Sequence, residues 1–233
     1  MVEIALNQVT WPHYHRLVNS AYPPIDLFDD IADPKDWLLL GISESRTNPR
    51  LSESMGRLEL IPPSRRVGGS GASWVMAPFT HATTDKPSRF HDGSFGAFYA
   101  ANNYQTALFE TAHHVSLFNQ ATNQAPGWIA DMRELVGSID TILTDIRVGD
   151  YQDILHPDDY SFSQQFAKTI LAQGNDGIVY PSVRDKGGEC FAAFYPDVMR
   201  IPIQGKHISY HWNGERIDLI KELTEHGKVY RIS

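Results

Sequence analysis

The sequence is poor in cysteine and in basic residues. Its 233 residues include one cysteine, Cys190, so neither an internal disulfide framework nor a multi-cysteine zinc site can form. The position of Cys190 in an apolar run indicates a buried structural thiol rather than a nucleophile. Acidic residues outnumber basic ones by 28 to 20, and the only compact basic element is Arg65-Arg66. Because contacts to a phosphate backbone need clustered Lys and Arg, direct nucleic-acid binding is disfavoured.

Long hydrophobic runs are also lacking. Residues 1–8 have neither the basic flank nor the apolar region of a secretion signal, and no apolar run approaches the length of a membrane span. We therefore expect a cytoplasmic protein with no membrane partner. The hydrophobic content of 42% is enough for a good core, and the length favours a single domain.

Motifs for phosphate loops and for metals are missing as well. The glycine-rich segment Gly68–Ser73 matches neither a P-loop nor a dinucleotide fingerprint, which indicates a flexible loop. The ten histidines include His13 and His15, spaced to share one face of a strand, and the adjacent pair His113-His114. No HExxH motif or carboxylate partner spacing accompanies them, so we predict no metal site.

The order of the predicted elements indicates an α+β protein. Residues 8–45 carry helical or irregular patterns, with a helix start at Asp33-Pro34, and residues 46–94 read as loops around short strands. One later helix, 161–173, interrupts a series of strands, and Asn213-Gly214 predicts a type I′ hairpin turn after the last of them. The predicted strands are 128–132, 141–146, 177–183, 190–195, 199–203 and 207–212.

Two segments combine polar residues with well-defined elements. In the first, a strand over 95–101 is followed by a helix from about Tyr104 to Val115, so that Arg89, Tyr99 and Glu110 fall on a loop, a strand and a helix. In the second, two apolar runs within 177–194 flank a glycine-containing turn and predict a hairpin, with Ser182 in or near its first strand. Taken singly, each polar residue fits an ordinary surface or core role.

With both segments present, the chain resembles the RES-domain family, which is named for an arginine, a glutamate and a serine. The matching residues are Arg89, Glu110 and Ser182, with Tyr99 at the family's tyrosine position. The similarity is strong over SRFHDGSFGAFYAANNYQTALFETAHH and GIVYPSVRDKGGECFAAFYPD.

Outside these two blocks the similarity is weaker. It extends upstream to residues 15–18 and to Thr47–Arg50, so that it covers most of the chain. The chain departs from the family at Pro87–His91, where many members carry Gly-Gly-Arg-Trp-Asn, although the arginine is kept.

The resemblance implies the toxin of a bacterial two-gene toxin–antitoxin module that consumes NAD+. It implies a fold similar to that of diphtheria-toxin-type ADP-ribosyltransferases, with mixed or antiparallel sheets and flanking helices. The implied partner is an Xre-type helix-turn-helix antitoxin that blocks the active site. We expect one RES-type domain over residues 1–233, in which 1–67 form an N-terminal extension packed on the catalytic core.

The chemistry of NAD+ cleavage assigns a role to each residue of the resemblance. The nicotinamide–ribose bond breaks through a transition state with oxocarbenium character, which the carboxylate of Glu110 would stabilise. The planar fork of Arg89 suits a pyrophosphate, and the ring of Tyr99 suits the nicotinamide plane. Ser182 would position NAD+ or water by hydrogen bonding, because no nucleophile elbow surrounds it. Arg16 and His114 are further candidates for NAD+ binding.

The acceptor of ADP-ribose stays open at this point. Transfer to a host protein is favoured because the extension contains Trp11, Tyr14, Trp37 and the loop Thr47–Arg50, and aromatic and arginine side chains are common at protein contacts. The alternatives are an NAD+ phosphorylase or glycohydrolase, which would use phosphate or water. A catalytically silent protein-binding domain is a third possibility.

Overall fold

The α+β class is confirmed by the computed structural model, which describes residues 5–20, 34, 36–37, 56–224 and 227–232. These residues form three α-helices and one mixed sheet of eight strands. The helices are α1 (Ala72–Thr80), α2 (Tyr104–Ala121) and α3 (Ser161–Ala172). The strands are β1 (Leu6–Asn19), β2 (Phe98–Ala101), β3 (Gly127–Asp145), β4 (Gly177–Pro181), β5 (Glu189–Ala193), β6 (Ile203–Trp212), β7 (Ile217–Glu222) and β8 (Val229–Arg231).

The sheet closes on itself at one end. Its strand order is β1-β2-β5-β4-β3-β6-β7-β8, and β1 pairs with β3 as well as with β2. Five strands therefore form a ring, β1-β2-β5-β4-β3, from which β6, β7 and β8 continue as an antiparallel extension. All strand pairs are antiparallel except β3 with β4. The long strand β3 belongs to both parts and joins them.

The three helices pack on two hydrophobic clusters. The first contains Val75, Met76 and Phe79 of α1 together with the fully buried rings of Phe98 and Phe191. The second contains apolar residues of α2, of α3 and of the sheet: Ala107, Leu108, Ala112, Ala167, Ile170, Ile178 and Ile208. Burial of apolar surface on both clusters is the main force that fixes the helices on the sheet. No helix in the described part of the chain is long and apolar enough to cross a membrane.

Several sequence-based element predictions are confirmed. The helix predicted from Tyr104 is α2, and Asn103 caps it by accepting a hydrogen bond from the Thr106 amide at 2.9 Å. The predicted hairpin is β4 and β5, and Ser182 follows the first of these strands directly. The predicted helix over 161–173 is α3.

Three predictions about strands are wrong. The N-terminal residues expected to be helical or irregular include the long strand β1. The two strands predicted over 128–132 and 141–146 are the single strand β3, because Gly137 does not break it. A Cβ atom at Gly137 would lie 2.4 Å from the ring of Tyr14, so glycine is there for a close approach. The strand predicted over 199–203 is absent, and Met199 makes only an isolated bridge to Ile139.

Two further predictions about local structure are wrong. Helix α1 occupies a region expected to be loops and short strands, and it contains Pro78, a residue that argues against a helix. It begins within the segment Gly68–Ser73, with Gly71 as its N-cap in the left-handed region. The turn at Asn213-Gly214 does join β6 to β7, but only Gly214 has a positive φ, of 103°, so the turn is not of type I′.

The basic pair that stood out in the sequence takes part in intramolecular contacts. Arg65 bonds the carboxylates of Asp176 and Asp197 at 2.8 and 2.7 Å. Arg66 donates to the carbonyl oxygens of three residues, Pro34, Leu58 and Ile61. The two guanidinium groups therefore tie separate chain segments together.

Candidate active site

A pocket of about 400 Å³ opens where β1 and β2 separate. These strands pair at one position only, His15 with Ala101, and residues of both strands beside this position line the pocket. The segment from Pro78 to His91, between α1 and β2, and one face of α2 complete the walls. The volume lies in the range of small-molecule sites, roughly 300–1,000 Å³.

The structure brings five of the six predicted site residues to this pocket. Arg16, Arg89, Tyr99, Glu110 and His114 all line it. They come from β1, the loop before β2, β2 itself and α2, so the closed part of the sheet and α2 together assemble the site.

The sixth predicted residue, Ser182, reaches the site through Glu110. Its Oγ donates to Glu110 Oε1 at 2.6 Å, and it accepts from the backbone amides of Arg184 and Asp185 at 3.2 and 3.0 Å. Because the two amides occupy the lone pairs of Oγ, its hydrogen is directed at the carboxylate. Ser182 thus orients Glu110. All hydrogen-bonding positions of this oxygen are taken within the protein, so it is poorly placed to attack a ligand.

The loop that carries Ser182 is itself tied to α2. Thr106 Oγ1 donates to Asp185 Oδ2 at 2.6 Å, which connects the first turn of the helix to this loop. Glu110 lies one turn further along the same helix. Helix and loop are therefore held in a fixed relation, and the contact between Ser182 and Glu110 depends on it.

The hydroxyl of Tyr99 holds the segment that carries Arg89. It lies 2.6 Å from Ser88 Oγ and accepts from the Phe90 amide at 2.9 Å. Burial raises the pKa of Tyr99 to about 12, although the hydrogen bonds from Ser88 and Phe90 act in the opposite direction. The hydroxyl is thus neutral and engaged with Ser88 and Phe90, so the ring of Tyr99 is the part that we assign to contact with a ligand.

Arg89 is largely buried, and part of its guanidinium is engaged. Nη1 donates to the carbonyl oxygen of His156 at 2.7 Å, and the group lies 4.7 Å from the ring centroid of Tyr160. In the described part of the chain no carboxylate pairs with Arg89, so its charge is not neutralised there. Arg89 both fastens the loop around residues 154–160 and contributes positive charge to the pocket.

Arg16 has a buried hydrogen-bond donor that no described residue uses. Its Nη1 donates to the Tyr99 carbonyl oxygen at 2.8 Å, and the guanidinium lies 4.6 Å from the ring centroid of Phe98. Its Nε is buried and has no hydrogen-bond partner among the described residues. Burial lowers the pKa of Arg16 to about 10, so the group stays charged at neutral pH. A buried cation with an unpaired donor, at the wall of a pocket, is prepared for an anionic ligand.

Charge in the pocket is strongly one-sided. Arg16, Lys86 and Arg89 supply three cations, and Glu110 is the one acidic side chain among the lining residues that the structure describes. Four histidines, at positions 15, 81, 91 and 114, add further donors or acceptors. Such a site suits a ligand that carries phosphate groups and also a centre of positive charge beside Glu110.

Cys190 also lines the pocket, as part of β5. The thiol is buried, and burial raises its pKa well above the usual value. A thiol in this state is a poor nucleophile, as the sequence indicated. The described residues contain no group of three or more His, Cys, Asp or Glu side chains placed to hold a metal ion.

One residue pair at the site was missed by the sequence analysis. His15 Nδ1 lies 2.6 Å from Glu134 Oε1, and His15 lines the pocket. The two residues are 119 positions apart in the chain, so no local spacing indicates the contact. The predicted loop Thr47–Arg50 lies outside the described residues.

Fold and site define an α+β domain with a basic pocket around one oriented carboxylate. The chain belongs to the RES domain family, whose profile matches residues 63–213, more than half of its length. The uncharacterized protein y4oC of Sinorhizobium fredii is 29% identical over 235 residues, which cover 99% of this chain and 94% of that protein.

A more distant likeness is to a solved structure. It concerns a chain in the crystal structure of the M. tuberculosis MbcT–MbcA toxin–antitoxin complex, at 14% identity and a TM-score of 0.43, over 89% of this chain and 87% of that chain.

Proposed function

We propose that this protein cleaves NAD+ at the nicotinamide–ribose bond and is the toxin of a toxin–antitoxin module. The observation that carries the proposal is the carboxylate of Glu110, oriented by Ser182 at 2.6 Å and facing a pocket in which the other charged side chains of the described residues are cationic. Membership of the RES domain family supports the same reaction, because the resemblance stated above implies NAD+ as substrate.

The chemistry of the bond explains why one carboxylate is enough. Nicotinamide leaves as a neutral molecule, so no acid is needed to protonate it, and positive charge builds up on the ribose instead. A preorganised carboxylate next to that charge stabilises the transition state more than the ground state. Ser182 keeps the carboxylate in place, and its hydroxyl carries no charge that would neutralise the carboxylate.

The remaining residues fit the other parts of NAD+. The pyrophosphate needs cations with free donors, and we assign this role to Arg16 together with Arg89. The ring of Tyr99 stays our candidate for contact with nicotinamide, while its hydroxyl positions the loop. His114 lies one turn along α2 from Glu110 and lines the same pocket, so it stays a candidate for binding the substrate.

A comparison of two conservative variants tests the division of roles between the arginines. Lysine keeps the charge but loses the planar fork. We expect Arg16→Lys to weaken NAD+ binding by roughly tenfold, the effect of about one hydrogen bond to a charged group, and to lower the melting temperature, because Arg16 holds the Tyr99 carbonyl. Arg89→Lys should lower both affinity and melting temperature, because Arg89 also holds the His156 carbonyl. Calorimetry and thermal melts measure both quantities. If the Arg16→Lys protein bound NAD+ as tightly as the wild type, Arg16 would not be part of the NAD+ site.

The aromatic residues of the N-terminal segment do not form the contact surface that was expected to favour a protein acceptor. Tyr14 and Trp37 are 0% and 1% exposed, and Trp11 packs against Phe191 with their ring centroids 5.7 Å apart. Tyr14 and Trp37 are therefore core residues, and Trp11 is partly buried against the same core. Moreover, β1 supplies His15 and Arg16, so the N-terminal segment builds one wall of the pocket.

Transfer of ADP-ribose to a host protein stays our proposal for the acceptor, with hydrolysis and phosphorolysis as the competing outcomes. We expect that NAD+ labelled in its adenylate phosphate, added to cell lysate with the purified protein, produces a discrete labelled protein band. The same experiment with a Glu110→Gln variant should produce none. Rapid loss of NAD+ without a labelled band would contradict protein transfer and would leave water or phosphate as acceptor.

The second class of function is a binding domain without catalysis. In that case the pocket would be kept for recognition of a partner, and NAD+ would survive incubation with the protein. The contact between Ser182 and Glu110 favours the enzyme, because it orients towards a ligand a carboxylate that forms no ion pair with any described residue.

The proposed function also requires a protein partner that inhibits the enzyme. An enzyme that consumes NAD+ harms the cell that makes it, so its pocket must be covered until needed. We propose that the partner is a helix-turn-helix protein of the Xre type, as the family resemblance implies, and that it binds over the pocket.

A further inference from the structure

Beside the proposed NAD+ site lies a histidine–carboxylate pair that the reaction described above does not use. His15 Nδ1 is 2.6 Å from Glu134 Oε1. The side chain of Glu134 is only 5% exposed, whereas that of His15 is 19% exposed and lines the pocket. One member of the pair is therefore fixed in the protein and the other is accessible to a ligand.

Glu134 is held at both oxygens. Its Oε2 accepts from the Lys206 backbone amide at 3.0 Å, and a Cβ atom at Gly205 would lie 2.5 Å from this oxygen. Glycine at 205 thus allows the backbone to come close to the carboxylate. Burial alone would raise the pKa of Glu134, but the hydrogen bonds from His15 and Lys206 outweigh it and lower the pKa. The group is an ionised acceptor with a fixed position.

A fixed carboxylate determines the tautomer of the histidine. Nδ1 of His15 must carry a hydrogen to bond Glu134, so in the neutral ring Nε2 carries none and accepts. Among the described residues, nothing hydrogen-bonds to Nε2. A carboxylate that orients a histidine through Nδ1, and leaves Nε2 to take a proton, is the arrangement of a general base in acyl transfer.

We propose that His15 is the general base that activates the acceptor of ADP-ribose, with Glu134 as its positioning residue. The proposal rests on the proposed function, because it needs NAD+ to be cleaved in the same pocket. It assigns the two sides of the reaction to two groups. Glu110 stabilises the ribose, and His15 serves the acceptor.

The step is balanced without an oxidant or a further reactant. A lone pair of the acceptor oxygen forms the new bond to C1 of the nicotinamide ribose. The bond from C1 to the nicotinamide nitrogen breaks, its electron pair stays on that nitrogen, and the positive charge of the ring is lost. The acceptor's proton moves to His15 Nε2, and Glu134 stabilises the imidazolium until the proton passes to solvent.

A general base also restricts the class of acceptor. Water and the hydroxyl group of a protein side chain have a proton to lose and gain from His15. Inorganic phosphate is already an anion near neutral pH and attacks without such help. The acceptor of ADP-ribose is therefore a group that loses a proton when it reacts, either water or a protein hydroxyl.

The test compares His15→Gln and Glu134→Gln with His211→Gln. His211 is a matched control, because its Nδ1 lies 2.7 Å from Asp218 Oδ1 in a similar pair that does not line the pocket. Nicotinamide release, NAD+ affinity and the ADP-ribose products are measured for each protein. Sodium azide is then added as a small anionic nucleophile that needs no base.

We expect His15→Gln to release nicotinamide about 10²-fold more slowly with a protic acceptor, the scale of a lost general base. NAD+ affinity should stay within about threefold, and azide should restore release and produce ADP-ribosyl azide. Glu134→Gln should slow the reaction at least tenfold, because a neutral partner no longer stabilises the imidazolium. His211→Gln should match the wild type.

Several outcomes would overturn the assignment. Wild-type turnover in a folded His15→Gln protein would do so, and so would a slow His15→Gln protein that azide fails to restore. The wild type supplies a test that does not depend on the folding of variants. If its only product is ADP-ribose phosphate, formed only when phosphate is present, His15 is not the base. A wild type that leaves NAD+ intact would instead refute the proposed function itself.

Discussion

A Glu110→Gln protein should fold normally and release nicotinamide at least about 10²-fold more slowly than the wild type, the scale observed when one preorganised electrostatic group is removed. Glutamine has nearly the same shape, and its amide oxygen can still accept the hydrogen bond that Ser182 donates at 2.6 Å. Only the negative charge beside the ribose is lost. The rate at saturating NAD+ is therefore the quantity to measure, with NAD+ affinity determined in parallel.

Glu215→Gln is the control for this variant. Glu215 is an exposed residue in the turn between β6 and β7, and its side chain does not line the pocket. Glu215→Gln changes the net charge of the protein by the same amount as Glu110→Gln, and it should leave turnover unchanged. Melting temperatures of all three proteins establish that they are folded. A folded Glu110→Gln protein with the wild-type rate would show that Glu110 is not the catalytic carboxylate.

Expression of the wild-type chain alone should arrest bacterial growth, whereas the Glu110→Gln form should be tolerated. The reason is that the arrest follows from loss of NAD+ or from modification of a target, and both need the carboxylate. Growth curves after induction, together with cellular NAD+ levels, measure the effect. Co-expression of a helix-turn-helix protein encoded beside this chain should restore growth of cells that contain the wild type.

The growth experiment can also refute the claim that the arrest needs the Glu110 carboxylate. Equal arrest by wild-type and Glu110→Gln proteins would mean that toxicity has another cause, such as aggregation or an unrelated interaction. Arrest without any change in NAD+ or in protein modification would point to the same conclusion. The two variants must be produced at equal levels, which immunoblotting can establish.

The sequence predicts best where local chemistry and periodicity agree. The helix with Glu110 has an Asn103 cap and an apolar stripe, and it begins where it was predicted. The hairpin that carries Ser182 has a glycine turn between two apolar runs. The two segments meet because β2 pairs with β5. That Glu110 and Ser182 belong to one site was predicted from the resemblance to the RES family and not from a local sequence rule.

Long-range pairing is where the sequence was insufficient. β1 contains His15 and Arg16, yet its apolar and polar residues do not alternate as in a regular strand. One reason is a bulge between Trp11 and Tyr14, which changes the face on which the following side chains lie. The partner of His15 lies 119 residues away on β3. Helix α1 was missed because its region is rich in Gly, Pro, Ser and Thr, and Pro78 lies inside the helix itself. In each case tertiary contacts override the local secondary-structure preference of the segment, and local sequence rules do not contain such contacts.

The central claim is that the pocket around Glu110 cleaves NAD+, and release of nicotinamide by the purified protein tests it most directly. Pure protein is incubated with NAD+, with water, phosphate or lysate as the source of acceptor, and the products are identified by mass spectrometry. The account predicts one nicotinamide for each NAD+ consumed, together with an equal amount of ADP-ribosyl product, and neither from Glu110→Gln. Intact NAD+ after prolonged incubation with the folded wild-type protein, under all three conditions, would contradict it.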